Sequence, residues 1–285
     1  TGAFYFMKLG IRAHDINYTV LKDLSADIKK QGFEYVQLVP FKCISDYEDK
    51  DYFLNAEEAT RIKNEFAEND IKVAMLGAYF NPVHSNKAVL DKAVSKFKNY
   101  LQYASFIGAN YVGTETGSYN DDEWTFNPRN RTENAYREVL AVFKDLAAFA
   151  EKNNVNIAIE GAFAHVIHSP RLLRRLIDDI NSPSVYATVD LLNYLDITNY
   201  QKQREIFAEA LALLRDKIVI FHLKDFIIEN NAFKEVALGD GFIDYDYIIP
   251  EIKKSRPDAY LIFEGITGEN INKSQEFITS LLAKD

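Results

Sequence analysis

The sequence predicts a single-domain (β/α)8 TIM barrel spanning residues 1–285. Eight short apolar, strand-like runs are each followed by an amphipathic helical pattern. No Pro/Gly-rich linker or low-complexity tract divides the 285 residues, and barrels of this class routinely reach such lengths as one domain. No GxGxxG follows the first run and no Walker-type phosphate loop occurs, which removes the usual reason to choose an open dinucleotide-binding sheet.

In chain order the strands are expected at MKLGIR (7–12), EYVQLV (34–39), KVAMLG (72–77), ANYVGTET (109–116), VNIAIE (155–160), SVYATVD (184–190), KIVIFHL (217–223) and AYLIFE (259–264). Helical patterns between them include Asn86 to Phe106 and Thr132 to Lys152, the latter with Thr132 as N-cap. Pro170 stands where a first helical turn would begin, after Ser169. Strict alternation of strand and helix implies a parallel sheet covered by helices. Eight repeats imply its closure, since open doubly wound sheets usually have fewer units.

Lysine and arginine total 33 against 42 aspartates and glutamates, a formal net charge of −9. Phosphate backbones are bound by clustered Lys and Arg, so nucleic acid is not the expected partner. A local positive pocket for a small phosphorylated substrate stays open. No apolar run approaches the roughly 20 residues of a membrane span, and no membrane partner is expected. Cys43 is the only cysteine. It excludes an internal disulfide or a Cys-rich zinc site and makes the reducing cytoplasm the expected location. The opening TGAFYFMKLGIR lacks the basic, apolar, small-residue order of a secretory signal. Met7 is a candidate native start, with Thr1 to Phe6 an added segment.

Four of the runs end on side chains that bind metals: NIAIE at Glu160, VYATVD at Asp190, IVIFH at His222 and YLIFE at Glu264. Singly, each has an ordinary explanation, a solvated loop glutamate or an N-capping aspartate. Jointly, they hold equivalent places in four consecutive strand–helix units. In a closed barrel those places converge at the carboxyl-terminal rim, where such folds keep their chemistry. Two glutamates, one aspartate and one imidazole suit a single hard or borderline divalent ion. Mn²⁺ is favoured, with Mg²⁺, Co²⁺ or Zn²⁺ in range. Four protein ligands leave positions on a six-coordinate ion for a sugar's adjacent hydroxyl and carbonyl oxygens. The expected chemistry is proton abstraction beside a carbonyl, an enediolate stabilised by the ion, and reprotonation, with Glu160 and Glu264 as the acid–base pair.

Other rim residues are candidates for binding substrate. Glu115 ends the fourth run in GTETG, as a group for substrate hydroxyls or for orienting a ligand, or equally as the partner of a loop cation. Lys224 directly follows the His222 strand and suits a substrate oxygen or phosphate. Asp225 suits orienting a ligand, although an ion pair is the favoured reading for it. The long polar segment SYNDDEWTFNPRNR after the fourth run suggests a lid or binding loop. Within it, Trp124 stacks on the C–H face of a sugar or is buried between subunits, and Arg129 and Arg131 meet an anionic group or are solvated. His14 and His165 read as solvated or locally bonded side chains.

These motifs resemble the xylose-isomerase-like barrel superfamily of sugar isomerases, epimerases and related lyases. The resemblance rests on IAIEG around Glu160, VDLLN from Asp190, FHLKD around His222, LGDGFIDY at 238–245 and LIFEG around Glu264. It covers nearly the whole chain and is strongest from residue 155 onward. It implies that Glu160, Asp190, His222 and Glu264 hold one divalent ion, that the two glutamates exchange the proton, and that the partner is a sugar or sugar phosphate. It also implies a substrate-contacting histidine near His84. Many relatives place a His three residues after the aspartate ligand, where this chain has Asn193, a residue suited to a substrate hydroxyl. That departure, with only five histidines, separates the chain from the three-zinc DNA-repair endonucleases of the superfamily. Lys224, Asp225 and Phe226 stand where D-tagatose-type ketose epimerases carry an Arg. A metal-dependent sugar isomerase or epimerase is therefore expected. The alternatives are an inosose- or dehydroshikimate-type dehydratase and a carbohydrate-binding barrel without turnover; retention of both glutamates argues against the latter. A homo-oligomer is a candidate assembly, since relatives commonly form dimers or tetramers.

Overall fold

Eight parallel strands close into a barrel in which each strand lies beside its chain neighbour. They are β1 (Lys8–Arg12), β2 (Tyr35–Leu38), β3 (Lys72–Gly77), β4 (Tyr111–Glu115), β5 (Asn156–Glu160), β6 (Val185–Asp190), β7 (Ile218–Leu223) and, after an inserted hairpin, β10 (Tyr260–Phe263). All eight coincide with the expected runs to within a residue or two at their ends. The computed structural model describes residues 7–284, so Thr1 to Phe6, the segment expected to be added, lie outside the described residues. Among the described residues no helix is long and apolar enough to cross a membrane.

The hairpin of β8 (Asp225–Glu229) and β9 (Ala232–Val236) is antiparallel and does not figure in the strand–helix alternation. Asn230 and Asn231 make its turn with φ of 51° and 61°, left-handed values that asparagine tolerates and that two-residue hairpin turns require. The Asn-Asn pair between alternating residues is the signal that eight-fold counting passes over.

Local capping explains where the helices begin. Asn86 accepts from the backbone of Ala88 and Val89 at the start of helix Lys87–Ile107, and Thr132 accepts from Ala135 at the start of Glu133–Asn153. Ser169 accepts from Leu172, with Pro170 in the first turn of Pro170–Ile180. Each cap satisfies at least one amide that the helix leaves free.

Apolar side chains fill two places. Between strands and helices lie fully buried rings such as Phe97, Phe143 and Phe207. Inside the barrel, Ala74, Met75, Ala158, Val219, Ile220 and Ile262 form a smaller cluster. Near its amino-terminal end, four alternate strands contribute Tyr35, Tyr111, Tyr186 and Tyr260. Tyr35 and Tyr260 meet edge to face at 5.2 Å, as do Tyr111 and Tyr186 at 5.7 Å. Lys8, Lys72 and Lys217 cover three of these rings at 4.6, 5.6 and 5.2 Å from the ring centres.

Strand register then sets the polar end. Glu115 pairs with Glu160 across β4 and β5, and Asp190 with His222 across β6 and β7. Ile262 on β10 pairs with His222, which sends Glu264 just past it at the same rim. Closure is tight around Gly10, where an added Cβ would stand 2.6 Å from the Tyr35 carbonyl oxygen and 2.7 Å from Ile262 Cδ1. Gly10→Ala is expected to destabilise the barrel by roughly 1–3 kcal/mol, the usual cost of overpacking. Urea titration should show a lower midpoint with an unchanged slope.

Candidate metal centre

Burial and charge conflict at the carboxyl-terminal mouth. Glu160, Asp190 and Glu264 are all buried, and neighbouring carboxylates in a dry site both repel one another and resist desolvation. Three cations offset this. Lys224 Nζ lies 3.0 Å from Asp190 Oδ2 and 2.8 Å from Glu264 Oε1. Arg12 donates to the same Glu264 oxygen at 2.6 Å and is held by Asp15 through two bonds of 2.8 Å. His222 is the third.

Gln37 orients that imidazole. His222 Nε2 donates to Gln37 Oε1 at 2.7 Å, and the Gln37 amide donates to the Tyr79 hydroxyl at 2.7 Å. With the proton on Nε2, Nδ1 faces Glu264 Oε2 at 2.8 Å, Glu160 Oε2 at 3.2 Å and Asp190 Oδ2 at 3.9 Å. These are approaches in distance rather than aligned hydrogen bonds. Nδ1 of His222, Oδ2 of Asp190 and Oε2 of Glu264 are buried without a hydrogen-bond partner. Ligand atoms of Glu160, Asp190 and His222 all fall within 4.8 Å of one another. Glu264, expected as a fourth ligand, is not part of that group, although its Oε2 stands 2.8 Å from His222 Nδ1. Three carboxylates and an imidazole turned toward one point fit a divalent cation, which would take the place of the Nδ1 proton that His222 otherwise holds against the acids; oxygen donors with one imidazole fit a hard or borderline ion.

Titration follows the same balance. Burial works against charging His222, but the Glu264 and Glu160 carboxylates outweigh it and lift the imidazole to about 10. Burial would raise Glu264, yet Lys224 and His222, with Arg12, hold it well below the usual carboxylate range. Asp190 is lifted to about 6 by burial against the pull of Lys224. Lys224 stays charged because Asp190 and Glu264 overcome its desolvation.

The remaining candidates divide. Asn193 is tied to the ligand set: its side-chain amide donates to Glu160 Oε1 at 2.6 Å, its backbone amide donates to Asp190 Oδ1 at 3.1 Å, and its Oδ1 accepts from Lys224 at 3.3 Å. Glu115 stands beside Glu160; burial, then repulsion from Glu160, raises it to about 8, so at neutral pH it carries a proton that it can donate. His165 Nδ1 is 3.8 Å from Glu115 Oε2, and the His165 ring is 5.3 Å from that of Trp124. His165 is buried, which rules out the solvated one of its two expected readings. His84 lies farther out, lining a cavity together with Trp124.

One expectation is corrected here. Asp225 forms no ion pair among the described residues; it accepts the backbone amides of Phe226, Gly239, Gly241 and Ile243 at 2.8–3.1 Å. The carboxylate thus folds the GDGFI loop around itself, and a Cβ at Gly241 would strike Asp225 Oδ1 at 2.2 Å. Arg131 is exposed, in keeping with the solvated reading, and its guanidinium also donates to the carbonyls of Phe163 and His165. Arg12, Gln37 and Tyr79 belong to the site without having been singled out. The signals were present: Arg12 ends the first strand at the rim, and Gln37 is the one polar residue inside YVQL.

Residues 25–281 match the family described as xylose isomerase-like TIM barrel. The chain belongs to this family. Its fold is shared by a 3-keto-D-glucoside 4-epimerase from E. coli, with a TM-score of 0.74 and 15% identity over 96% of this chain and 100% of that one. A D-tagatose 3-epimerase-like protein gives 0.76 and 15% over 97% of each chain. The IolI protein with a bound zinc atom gives 0.75 and 17% over 97% and 98%. No curated protein sequence matches the chain.

Removing the Asp225 carboxylate should free the GDGFI loop while leaving the barrel intact. Asp225→Ala is expected to lower the opening free energy of the Gly239, Gly241 and Ile243 amides by roughly 1–3 kcal/mol, read by hydrogen exchange. Cys43 is buried and its thiol is pushed up to about 12 by desolvation. It should therefore resist thiol reagents at pH 8 in the native state and react promptly in denaturant.

Proposed function

We propose that this chain is a divalent-metal-dependent isomerase or epimerase of sugars or sugar phosphates. The observation that carries the reading is the placement of two glutamate Oε2 atoms beside His222 Nδ1, at 3.2 Å for Glu160 and 2.8 Å for Glu264, within a buried donor set. Family membership supports the same class, as do similar structures described as a sugar epimerase and as a zinc-containing protein.

Glu160, Asp190, His222 and Glu264 would hold the ion, with Mn²⁺ favoured by the oxygen-rich set and Mg²⁺, Co²⁺ or Zn²⁺ within range. A bound divalent ion supplies Lewis-acid stabilisation of the negative charge that develops on a substrate oxygen. Glu264, kept ionised by Lys224, His222 and Arg12, removes the proton beside the substrate carbonyl. In an isomerase Glu264 hands the proton on to the neighbouring carbon; in an epimerase Glu160 supplies a second proton to the opposite face, and exchange with solvent then resets both carboxyl groups. Asn193, Lys224 and Glu115 meet substrate oxygens, Trp124 covers the pocket and excludes water, and His84 contacts the outer part of the substrate. The single buried cysteine keeps the cytoplasm as the proposed working compartment.

Purified protein loaded with Mn²⁺ in deuterated water is expected to exchange a carbon-bound proton of at least one sugar among ketoses, aldoses and their phosphates. Absence of exchange across that panel would overturn the reading, and a product lighter by one water would assign a dehydratase instead. Glu160→Gln and Glu264→Gln should each lower the exchange rate by roughly 10²–10⁴-fold. Chelation should abolish exchange and lower the melting temperature, with both restored by added Mn²⁺.

A further inference from the structure

We propose that the substrate is a neutral carbohydrate of two units, whose second unit is held in a cavity beside the metal centre; this rests on the proposed function and narrows its substrate class. The cavity has a volume of about 250 Å³ and lies between the segment after β3, the first turns of helix Lys87–Ile107 and the loop after β4. Phe80, Leu90 and the Trp124 ring give it apolar walls, while His84, Asp121 and Asp122 supply polar groups. An aromatic wall with a few convergent polar atoms is the composition that binds a sugar ring, whose faces are C–H and whose edge is hydroxyl.

One polar atom waits for a ligand. His84 Nδ1 accepts the Asn86 backbone amide at 3.0 Å, which puts the ring proton on Nε2. That Nε2 is buried, has no hydrogen-bond partner, and belongs to a side chain only 8% exposed. Asp122 Oδ1 lies 3.4 Å away on a side chain that is 93% exposed. The exposed Asp122 side chain can swing outward to admit a substrate hydroxyl that accepts from Nε2 and donates to the carboxylate. The surroundings are already fixed: Asp121 accepts from the backbone and hydroxyl of Ser85, each at 2.7 Å, and the Asn81 amide donates to the carbonyls of Ser118 and Asp121 at 2.6 and 2.8 Å.

Cavity and metal centre share walls. Tyr79 lines the cavity, and its hydroxyl accepts from Gln37, the partner of His222. Trp124 touches His165, which neighbours Glu115, which pairs in register with Glu160. A two-unit substrate would present its reacting unit to the glutamates and its remote unit to Trp124, passing Tyr79 and His165. Charge selects a neutral unit. Among the described residues no Lys or Arg lines this cavity, whereas two aspartates do. The nearby arginines are committed elsewhere, Arg129 over the Tyr119 ring and Arg131 to the Phe163 and His165 carbonyls. A phosphate there would face two carboxylates with only a neutral imidazole N–H to bind it; Lys92 and Lys96 line the adjoining cavity, and Lys92 is paired with Asp51.

Trp124 is the only tryptophan of the chain, so its emission reports this cavity directly, without turnover. Cellobiose, maltose, trehalose, D-glucose and glucose 6-phosphate are titrated against the Mn²⁺-loaded protein with excitation selective for tryptophan. At least one disaccharide is expected to shift the emission and to half-saturate at a concentration roughly tenfold or more below D-glucose, the weight of one hydrogen bond and one ring contact. His84→Ala, with its fold checked by circular dichroism, should erase that preference; Asp122→Ala serves the same purpose if the first variant does not fold. Equal half-saturation for disaccharides and glucose, no Trp124 response to any disaccharide, or tightest binding of glucose 6-phosphate would each overturn the proposal. Proton exchange with an unresponsive Trp124 would reject the second subsite alone, and a disaccharide response without exchange would reject the catalytic reading alone.

Discussion

Three carboxylates buried at one end of a barrel are tolerable only if positive charge is buried with them, and this requirement organises the mouth. Lys224 serves Asp190 and Glu264, Arg12 serves Glu264, and His222 stands among all three acids. The cations are themselves fixed, Arg12 by Asp15 and His222 by Gln37. Asp15 also accepts the backbone amide of Gly265, the residue after Glu264. The barrel's first and last strands are thereby joined through the charge balance as well as through their ladder. A balance of this kind pre-arranges lone pairs before any ion arrives, since the groups cannot relax into water.

The two faces of the barrel divide labour accordingly. At the amino-terminal side, tyrosines and lysines pack in pairs and contribute stability. At the carboxyl-terminal side, strand ends carry acids and the loops that follow surround them. The inserted hairpin extends that second face, and it is anchored where Asp225 gathers four amides and where Tyr245 donates to the Lys224 carbonyl at 2.7 Å. The same short segment therefore holds a cation of the site and the foundation of a loop beside it.

Most of the fold was legible because strand and helix periods alternate cleanly and the caps at Asn86, Thr132 and Ser169 are of ordinary type. That Glu160, Asp190, His222 and Glu264 share one rim was legible because each ends an apolar run. Residues that act by supporting them were harder to read. Gln37 sits inside a strand, where one polar residue among apolar ones looks like tolerated variation until its partner, 185 positions away, is known. Asp225 was misread because local sequence places it next to Lys224, whereas its real partners are backbone amides, which no side-chain pattern records. His165 was undervalued because burial of a loop residue depends on what folds over it, here the segment carrying Trp124.

The tyrosine plug has a consequence for traffic. Because Tyr35, Tyr111, Tyr186 and Tyr260 pack together across the far end, the cylinder is a blind alley and not a tunnel. Whatever reaches the acids must back out along its own inbound path. Arrival and departure then compete for one doorway, and a newcomer has to wait until the previous guest has gone.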